Sequence, residues 1–174
     1  LYVAARLQDR LANPVSGWMG HAAPFAFADA YTPAPGMARW LADTPPMLAM
    51  AALESGVDLM LEANPVAIAT KSAALFDLMC SIGNALGLDC ISPVDPLARG
   101  SHISFRHPHA YALCQALIAE GVIGDFRDPD ILRFGLTPLY LGYEDVVIGG
   151  EKLAAILAGQ RHLAPTFSKR YAVT

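Results

Sequence analysis

The stretch that decides the fold runs from residue 102 to residue 135 and reads HISFRHPHAYALCQALIAEGVIGDFRDPDILRFG. Short apolar runs at its two ends, residues 102–106 and 131–135, predict β-strands. Between them, residues 108–120 predict a helix with a proline in its first turn, and residues 121–126 predict a third short strand. A turn with two aspartates around a proline joins the last two strands. The order strand, helix, strand, strand is typical of a small α/β domain.

Elements on both sides extend this domain. Residues 89–93 predict one more strand before it, residues 143–160 predict a helix after it, and the tail after residue 161 is expected to be irregular. Upstream, two long apolar helices are predicted, which begin at Thr44-Pro45-Pro46 and at Asn64-Pro65 and end near residues 63 and 86. The region from residue 89 therefore predicts the order β-β-α-β-β-α, a small α/β sandwich that follows a spine of two helices.

The first 46 residues follow a different pattern. Residues 1–11 predict an amphipathic helix, whereas residues 15–46 show neither a helix period nor a strand period. A structureless segment of this length within a compact domain is usually functional, and solvated linkers are poor in aromatic residues. This segment is rich in them, with Trp18, Phe25, Phe27, Tyr31 and Trp40. We therefore expect an ordered, packed loop.

The composition excludes several classes of protein. With 54% hydrophobic residues, 16% charged residues and a mean hydropathy of +0.36, the chain does not belong to the disordered class. The net charge of -4 comes without a basic stripe, so no nucleic-acid partner is expected. The longest apolar-looking stretch, residues 47–60, is interrupted by Glu54 and Asp58, so no membrane span is expected.

The cysteines and histidines indicate no metal site. The three cysteines form no CxxC pair, which argues against a disulfide scaffold and a cysteine zinc site and fits a reducing cytoplasm. His107 and His109 form a His-x-His pair near His102, but no third ligand has a recognisable spacing. The ordinary interpretation is a strand end followed by a helix start.

Three other residues are candidates for a binding role. Arg133 lies within an apolar strand and must find an anion or reach solvent, and the anion is either a structural ion-pair partner or the carboxylate of a ligand. Trp18 lies between Gly17 and Gly20, and its indole N–H serves either a core contact or a ligand. Thr44 precedes a helix and either caps it or faces a phosphate. No dinucleotide-binding, P-loop, zinc-protease or serine-hydrolase motif occurs.

Several short segments resemble elements of the kynureninase family. They are residues 17–21 (GWMGH), 33–40 (PAPGMARW), 44–46 (TPP), 103–108 (ISFRHP), 121–127 (GVIGDFR) and 131–140 (ILRFGLTPLY). Each is weak by itself, but they occur in the family's order and cover nearly the whole chain. The combination makes the resemblance specific.

The resemblance implies the fold and the chemistry. Kynureninases are pyridoxal 5'-phosphate (PLP) enzymes that hydrolyse the Cβ–Cγ bond of L-kynurenine to give anthranilate and L-alanine, or cleave its 3-hydroxy form in the same way. The implied fold is α/β, the C-terminal part of the aspartate-aminotransferase (type I PLP) fold, with long helices plus a small α/β sandwich domain. The implied domains are residues 1–46 as the end of the large cofactor-binding domain, 47–87 as connecting helices and 88–174 as the small C-terminal domain.

The resemblance also implies that the chain is a piece of a longer enzyme. The family's Schiff-base lysine corresponds to a position upstream of Leu1. The lysines of this chain, Lys71, Lys152 and Lys169, do not lie in the matching context. We therefore expect no catalytic residue in this chain and no activity from the chain alone.

Three residues carry over from the family's motifs. Trp18 and Thr44 match positions that contact the cofactor, and Trp18 does so through its indole N–H to the phosphate. Arg133 matches the arginine that binds the α-carboxylate of the substrate. In related type I enzymes the threonine reaches into the neighbouring subunit's site, which implies a homodimer. The chain departs from the family's pattern at Asp43, which stands where many relatives carry glycine. An acid beside a phosphate contact weakens that contact unless its side chain points away.

Two alternatives remain at this stage. One is another type I PLP enzyme of the cysteine desulfurase kind, which would need a catalytic cysteine in a loop of the small domain. Cys90 and Cys114 are instead predicted in a strand and in a helix. The other alternative is a non-catalytic α/β domain that pairs with another chain.

Overall fold

Asn64-Pro65 marks the point at which the chain divides. The computed structural model describes residues 1–170, and Leu1–Glu62 forms one unit while a second unit begins at Ala63. Pro65 cannot continue the preceding helix, and the Asn64 side chain caps the next one by accepting hydrogen bonds from the N–H groups of Val66 and Ala67 at 2.9 and 3.2 Å. The predicted break between the two long helices is thus confirmed. The three-part domain division stays a prediction.

The first unit is built largely from short helical turns. Its elements are helix α1 (Ala5–Gln8), the 3-10 helices Trp18–Gly20, Pro24–Ala26 and Gly36–Trp40, and helix α2 (Met47–Glu62). The predicted helix over residues 1–11 is wrong in length, because α1 buries no residue and has no side-chain cap, and a short helix needs packing to persist. The aromatic segment forms 3-10 turns, but the expected packing is wrong within this chain, because Phe25 and Phe27 are 71% and 85% exposed. Helix α2 likewise buries none of its residues.

The second unit has the predicted order of elements. They are α3 (Pro65–Ala85), β1 (Asp89–Cys90), β2 (His102–Arg106), α4 (Ala110–Ala119), β3 (Asp125–Arg127), β4 (Ile131–Gly135), α5 (Tyr143–Ala158) and α6 (Pro165–Ser168), with 3-10 turns at Pro96–Ala98 and Arg161–Leu163. The short helices after Arg161 correct the expectation of an irregular tail, whose last four positions lie outside the described residues.

The four strands form one antiparallel sheet in the order β1-β2-β4-β3. β1 is shorter than predicted. β3 begins later than predicted because Gly121, at a φ of +81°, ends the turn after α4. The edge strand β3 pairs with its neighbour β4 around the turn at residues 128–130, which sets Asp125 opposite Arg133 and Phe126 opposite Leu132.

Strand alternation separates the two faces of this sheet. Phe126 and Leu132 lie on the core face, whereas Asp125 and Arg133 lie on the other face. The core face is covered by helices that approach closely at glycines. A Cβ at Gly83 of α3 would lie 2.2 Å from the buried Phe105 ring of β2. The glycine therefore lets the helix lie directly on the sheet.

Helix α3 is long and apolar enough to be a candidate membrane span. By length and composition this 21-residue helix could span one, with a mean hydropathy of 1.4 over an 18-residue window, although no membrane span was expected from the sequence. In the structure α3 buries Leu75, Phe76, Met79 and Gly83 in the core of the second unit. Packing in this core therefore accounts for these four residues, and 22% of the 18-residue apolar window is buried.

Candidate functional site

Two glycines place Trp18 against the segment that precedes α2. A Cβ at Gly17 would lie 1.7 Å from the carbonyl oxygen of Ala42, and one at Gly20 would lie 2.5 Å from that of Leu41. Only glycine permits such a close approach of two backbones. The Trp18 turn is therefore held beside residues 41–44, as the flanking glycines had suggested.

Trp18 and Thr44 meet on one oxygen atom. The Trp18 indole Nε1–H donates a hydrogen bond to Oδ1 of Asp43 at 2.9 Å, and the backbone N–H of Thr44 donates to the same oxygen at 2.7 Å. We call this arrangement the Trp18–Thr44 cradle. The structure thus brings two of the three candidate residues together, and Asp43 does not point away from them.

The cradle stabilises negative charge. The hydrogen bond from Trp18, followed by the one from the Thr44 backbone, holds the pKa of Asp43 below its ordinary value of 3.8. Asp43 and Thr44 are exposed, and Trp18 remains 44% exposed. The two donors are therefore open to solvent and accessible to another anion.

An aromatic groove adjoins the cradle. Trp18, His21, Phe27 and Tyr31 help to line it, and its volume is about 520 Å³. Trp18 also packs edge-on against Phe25, with ring centroids 5.5 Å apart. Planar aromatic walls of this kind suit a flat ring system.

Arg133 belongs to the second unit, where a carboxylate of the chain already engages it. Its Nε donates to both oxygens of Asp125 at 2.9 and 3.1 Å, and its Nη2 donates to Oδ2 at 2.5 Å. These bonds lower the pKa of Asp125 and raise that of Arg133. The structural ion pair anticipated for an arginine in this strand is therefore present, and a role on a ligand's carboxylate stays a prediction.

Three histidines gather where α4 begins. The rings of His107, His109 and His162 lie with centroids 5.5 to 6.0 Å apart, and the buried His162 Nδ1 has no hydrogen-bond partner. Within residues 1–170, however, no group of histidine, cysteine or acidic side chains converges as a metal site would require. Burial, followed by the charges of His162 and His109, lowers the pKa of His107.

The two donors of the cradle are N–H groups, the type of donor that suits the phosphate of PLP. Two N–H groups that converge on one anionic oxygen are what a phosphate oxygen requires. Two lysines are less suited to bind a phosphate, because their ammonium groups already donate to backbone carbonyls. Lys71 Nζ donates to the carbonyl of Pro138 at 2.8 Å, and Lys152 Nζ donates to that of Glu120 at 2.7 Å. The described residues therefore offer a phosphate contact, and the chain's own Asp43 engages it.

Sequence reasoning did not identify Asp125 or His162. Asp125 could have been found from the hairpin register, since residues 125 and 133 are equidistant from the proline of the turn at residues 128–130. His162 carried no signal, because it lies more than 50 residues from the His-x-His pair.

Comparison with known proteins shows which family this chain resembles in sequence. Residues 68–153 match the family described as "Kynureninase C-terminal domain". The kynureninase of Burkholderia mallei (strain SAVP1) is 44% identical over 180 residues, which cover 100% of this chain and 43% of that protein. The kynureninase of Deinococcus radiodurans is 45% identical over 161 residues, which cover 90% of this chain and 39% of that protein. The chain spans less than half the length of these relatives.

Solved structures support the predicted fold class. An apo cysteine desulfurase from Thermococcus onnurineus NA1 superposes with a TM-score of 0.75 at 16% identity, covering 91% of this chain and 42% of that one. A C-DES mutant with glycine linked covalently to its PLP cofactor gives a TM-score of 0.64 at 19% identity, covering 88% and 40%. The fold is thus α/β and like the C-terminal part of type I PLP enzymes, as predicted.

Both lines of comparison agree with the motifs in residues 17–46 and 103–140. The match over the whole length rests on sequence identity, and the match of the fold rests on the arrangement of helices and the antiparallel sheet. The chain therefore belongs to the kynureninase family and carries that family's C-terminal domain.

Proposed function

We propose that this chain is the C-terminal part of a PLP-dependent kynureninase that hydrolyses the Cβ–Cγ bond of L-kynurenine to anthranilate and L-alanine, or that of its 3-hydroxy form to 3-hydroxyanthranilate and L-alanine. The observation that carries the proposal is the 44% identity to a kynureninase over the whole chain. When bound, PLP supplies the electron sink for the bond cleavage, and the protein supplies binding, orientation and electrostatics.

In this proposal Trp18 and Thr44 hold the cofactor phosphate. The support is geometric: their N–H groups already converge on one carboxylate oxygen at 2.9 and 2.7 Å. Hydrogen bonds to ionised oxygens are about twice as strong as neutral ones, so two such donors fix the position of a phosphate. The groove beside Trp18 offers apolar surface to the rest of the ligand.

Arg133 binds the α-carboxylate of the substrate in the same proposal. A guanidinium fork matches a carboxylate, and Arg133 already binds the carboxylate of Asp125 through Nε and Nη2. Because Asp125 accepts from Nε and Nη2, it also fixes the direction in which the remaining nitrogen of the guanidinium, Nη1, points. Fixing the substrate carboxylate aligns the scissile bond with the cofactor.

A homodimer is part of the proposal. All sixteen residues of α2 are unburied within this chain, including Leu48, Leu53 and Leu61, so the helix presents apolar surface to further protein. That covering protein is either the remainder of the polypeptide or a second subunit. A cytoplasmic location is proposed on the three free cysteines, none of them in a disulfide within the described residues.

A desulfurase-like activity has less support. Cys114 is fully buried in α4, and burial raises its pKa to about 11. Burial also raises the pKa of Cys90. A catalytic cysteine needs an accessible thiolate, and the raised pKa disfavours the thiolate at both residues.

Anthranilate release tests the proposed function. The complete protein with PLP should release anthranilate from L-kynurenine, whereas the 174-residue chain alone should not, because none of its lysines lies in the family's cofactor-binding context. A complete protein that retains PLP and yet leaves both L-kynurenine and its 3-hydroxy form intact would refute the proposal. Anthranilate from the chain alone would refute its predicted inactivity.

A further inference from the structure

We propose that Asp43 is a built-in competitor of the cofactor phosphate. Its carboxylate sits on the point where Trp18 and Thr44 converge, so a phosphate can gain both donors only when Asp43 releases them. The inference rests on the proposed role of Trp18 and Thr44 and deepens it, because it assigns a function to the residue at which this chain departs from the family's pattern.

The geometry makes the two anions mutually exclusive at this point. Trp18 Nε1 carries a single hydrogen, as does the backbone nitrogen of Thr44, and both hydrogens are directed at Oδ1 of Asp43. A hydrogen bond weakens steeply away from linearity, so neither donor can serve two acceptors well. A phosphate oxygen that takes the same position must replace the carboxylate oxygen.

Charge adds to the competition. The hydrogen bonds to Asp43 favour its ionised form, so the carboxylate is negative at any pH at which the enzyme would work. A PLP phosphate is also anionic. If Asp43 stays near the phosphate after giving up its donors, the two like charges repel each other at short range.

The competition is reversible, because the carboxylate is exposed within the part of the chain that the structure describes. Asp43 is exposed and lies in the segment before α2, and the structure pairs it with Trp18 and Thr44. Exposed hydrogen bonds contribute little net free energy, since water replaces them. Asp43 therefore weakens phosphate binding without preventing it, and it satisfies the Trp18 indole when the cofactor is absent.

The substitutions Asp43→Gly and Asp43→Asn, made in the complete protein, test this role. Glycine removes the carboxylate, and asparagine keeps an acceptor of the same shape but removes the charge. Asp58→Asn is the matched control, since Asp58 is also exposed in the same unit but lies on α2. The readout is the dissociation constant of PLP, measured by absorbance titration, beside that of pyridoxal, which lacks the phosphate.

Asp43→Gly should bind PLP about tenfold more tightly than the unmodified protein, corresponding to about 1.4 kcal/mol, and Asp43→Asn should gain less because it keeps an acceptor on the two donors. Pyridoxal affinity and the Asp58→Asn variant should be unchanged. Unchanged or weaker PLP binding by both Asp43 variants would overturn the inference, as would an equal gain for pyridoxal.

Trp18→Phe separates this inference from the proposed function. If Trp18→Phe weakens PLP binding while the Asp43 variants change nothing, the cofactor role of Trp18 stands and the competition is refuted. If Trp18→Phe and both Asp43 variants leave PLP binding unchanged, the proposed phosphate contact itself is wrong.

Discussion

At the scale of single residues, both predicted anion-binding groups hold carboxylates of their own chain. Trp18 donates to Asp43, and Arg133 donates to Asp125. The sequence predicted that each needed a partner, because an indole N–H or a guanidinium in an apolar setting is costly without one. It did not identify either carboxylate as that partner. Asp125 could have been inferred from the hairpin register, whereas the pairing of Asp43 with Trp18 depends on which side chains the fold brings within hydrogen-bond distance.

Replacement of Arg133 tests its substrate role. In the complete protein Arg133→Ala should lower kcat/KM by a factor equivalent to about 2–5 kcal/mol, mainly through KM, because a charge-assisted contact to the substrate carboxylate is lost. Arg127→Ala is the control, since exposed Arg127 donates to the same Asp125 at 3.4 Å. That control should stay within about 0.5 kcal/mol of the unmodified protein. Unchanged kinetics in Arg133→Ala would leave Arg133 as a structural residue only.

At the scale of elements, the helices lie close to their neighbours because glycines stand at the contacts. Gly83 of α3 lies over the Phe105 ring, and a Cβ at Gly150 of α5 would lie 2.8 Å from Ile82. Hydrophobic periodicity located these helices to within a few residues. It did not indicate which of their glycines lie at close contacts, because the sequence of a helix does not show whether the space beside a glycine is empty or filled by a neighbouring side chain.

Substituting two helical glycines by alanine distinguishes a glycine at a close contact from a glycine beside open space. Gly83→Ala should lower the free energy of unfolding by about 1–3 kcal/mol, because the new methyl group overlaps a buried ring. Gly149→Ala in α5 is the control, with its nearest neighbour 3.9 Å away at Val122, and it should leave stability unchanged or raise it by up to about 1 kcal/mol. Urea denaturation followed by circular dichroism measures both. Equal stability of the two variants would contradict the contact assigned to Gly83.

At the scale of the whole molecule, stability should depend on pH through the histidine cluster. His107 has a lowered pKa in the folded chain, so between that value and its ordinary value of 6.5 the unfolded chain binds more protons. Its contribution to stability is therefore fully present above pH 6.5 and is lost as the pH falls through this window. Protonation would also cost His107 Nδ1 the hydrogen bond that it accepts from the His109 N–H at 3.1 Å.

Thermal unfolding between pH 5.5 and pH 7.5, about one unit on either side of the ordinary histidine pKa, measures this dependence. The unmodified chain should melt at a lower temperature at the acid end, and His107→Gln should reduce the difference. His102→Gln, at an exposed strand end outside the cluster, should keep it. An equal pH dependence in all three proteins would exclude His107 as its source.

The sequence by itself determined the α/β class, the order of the elements from residue 89 and the break at Asn64-Pro65. These depend on local periods, turn residues and caps, which act over a few residues. Its motifs also indicated the family, which the comparisons then showed. Only the tertiary structure decided that Asp43 engages Trp18 and Thr44, that Asp125 engages Arg133 and that His162 joins His107 and His109. The physical reason is that hydrogen bonds and ion pairs depend on distances of about 3 Å and on the direction of each donor, which only the packed backbone sets.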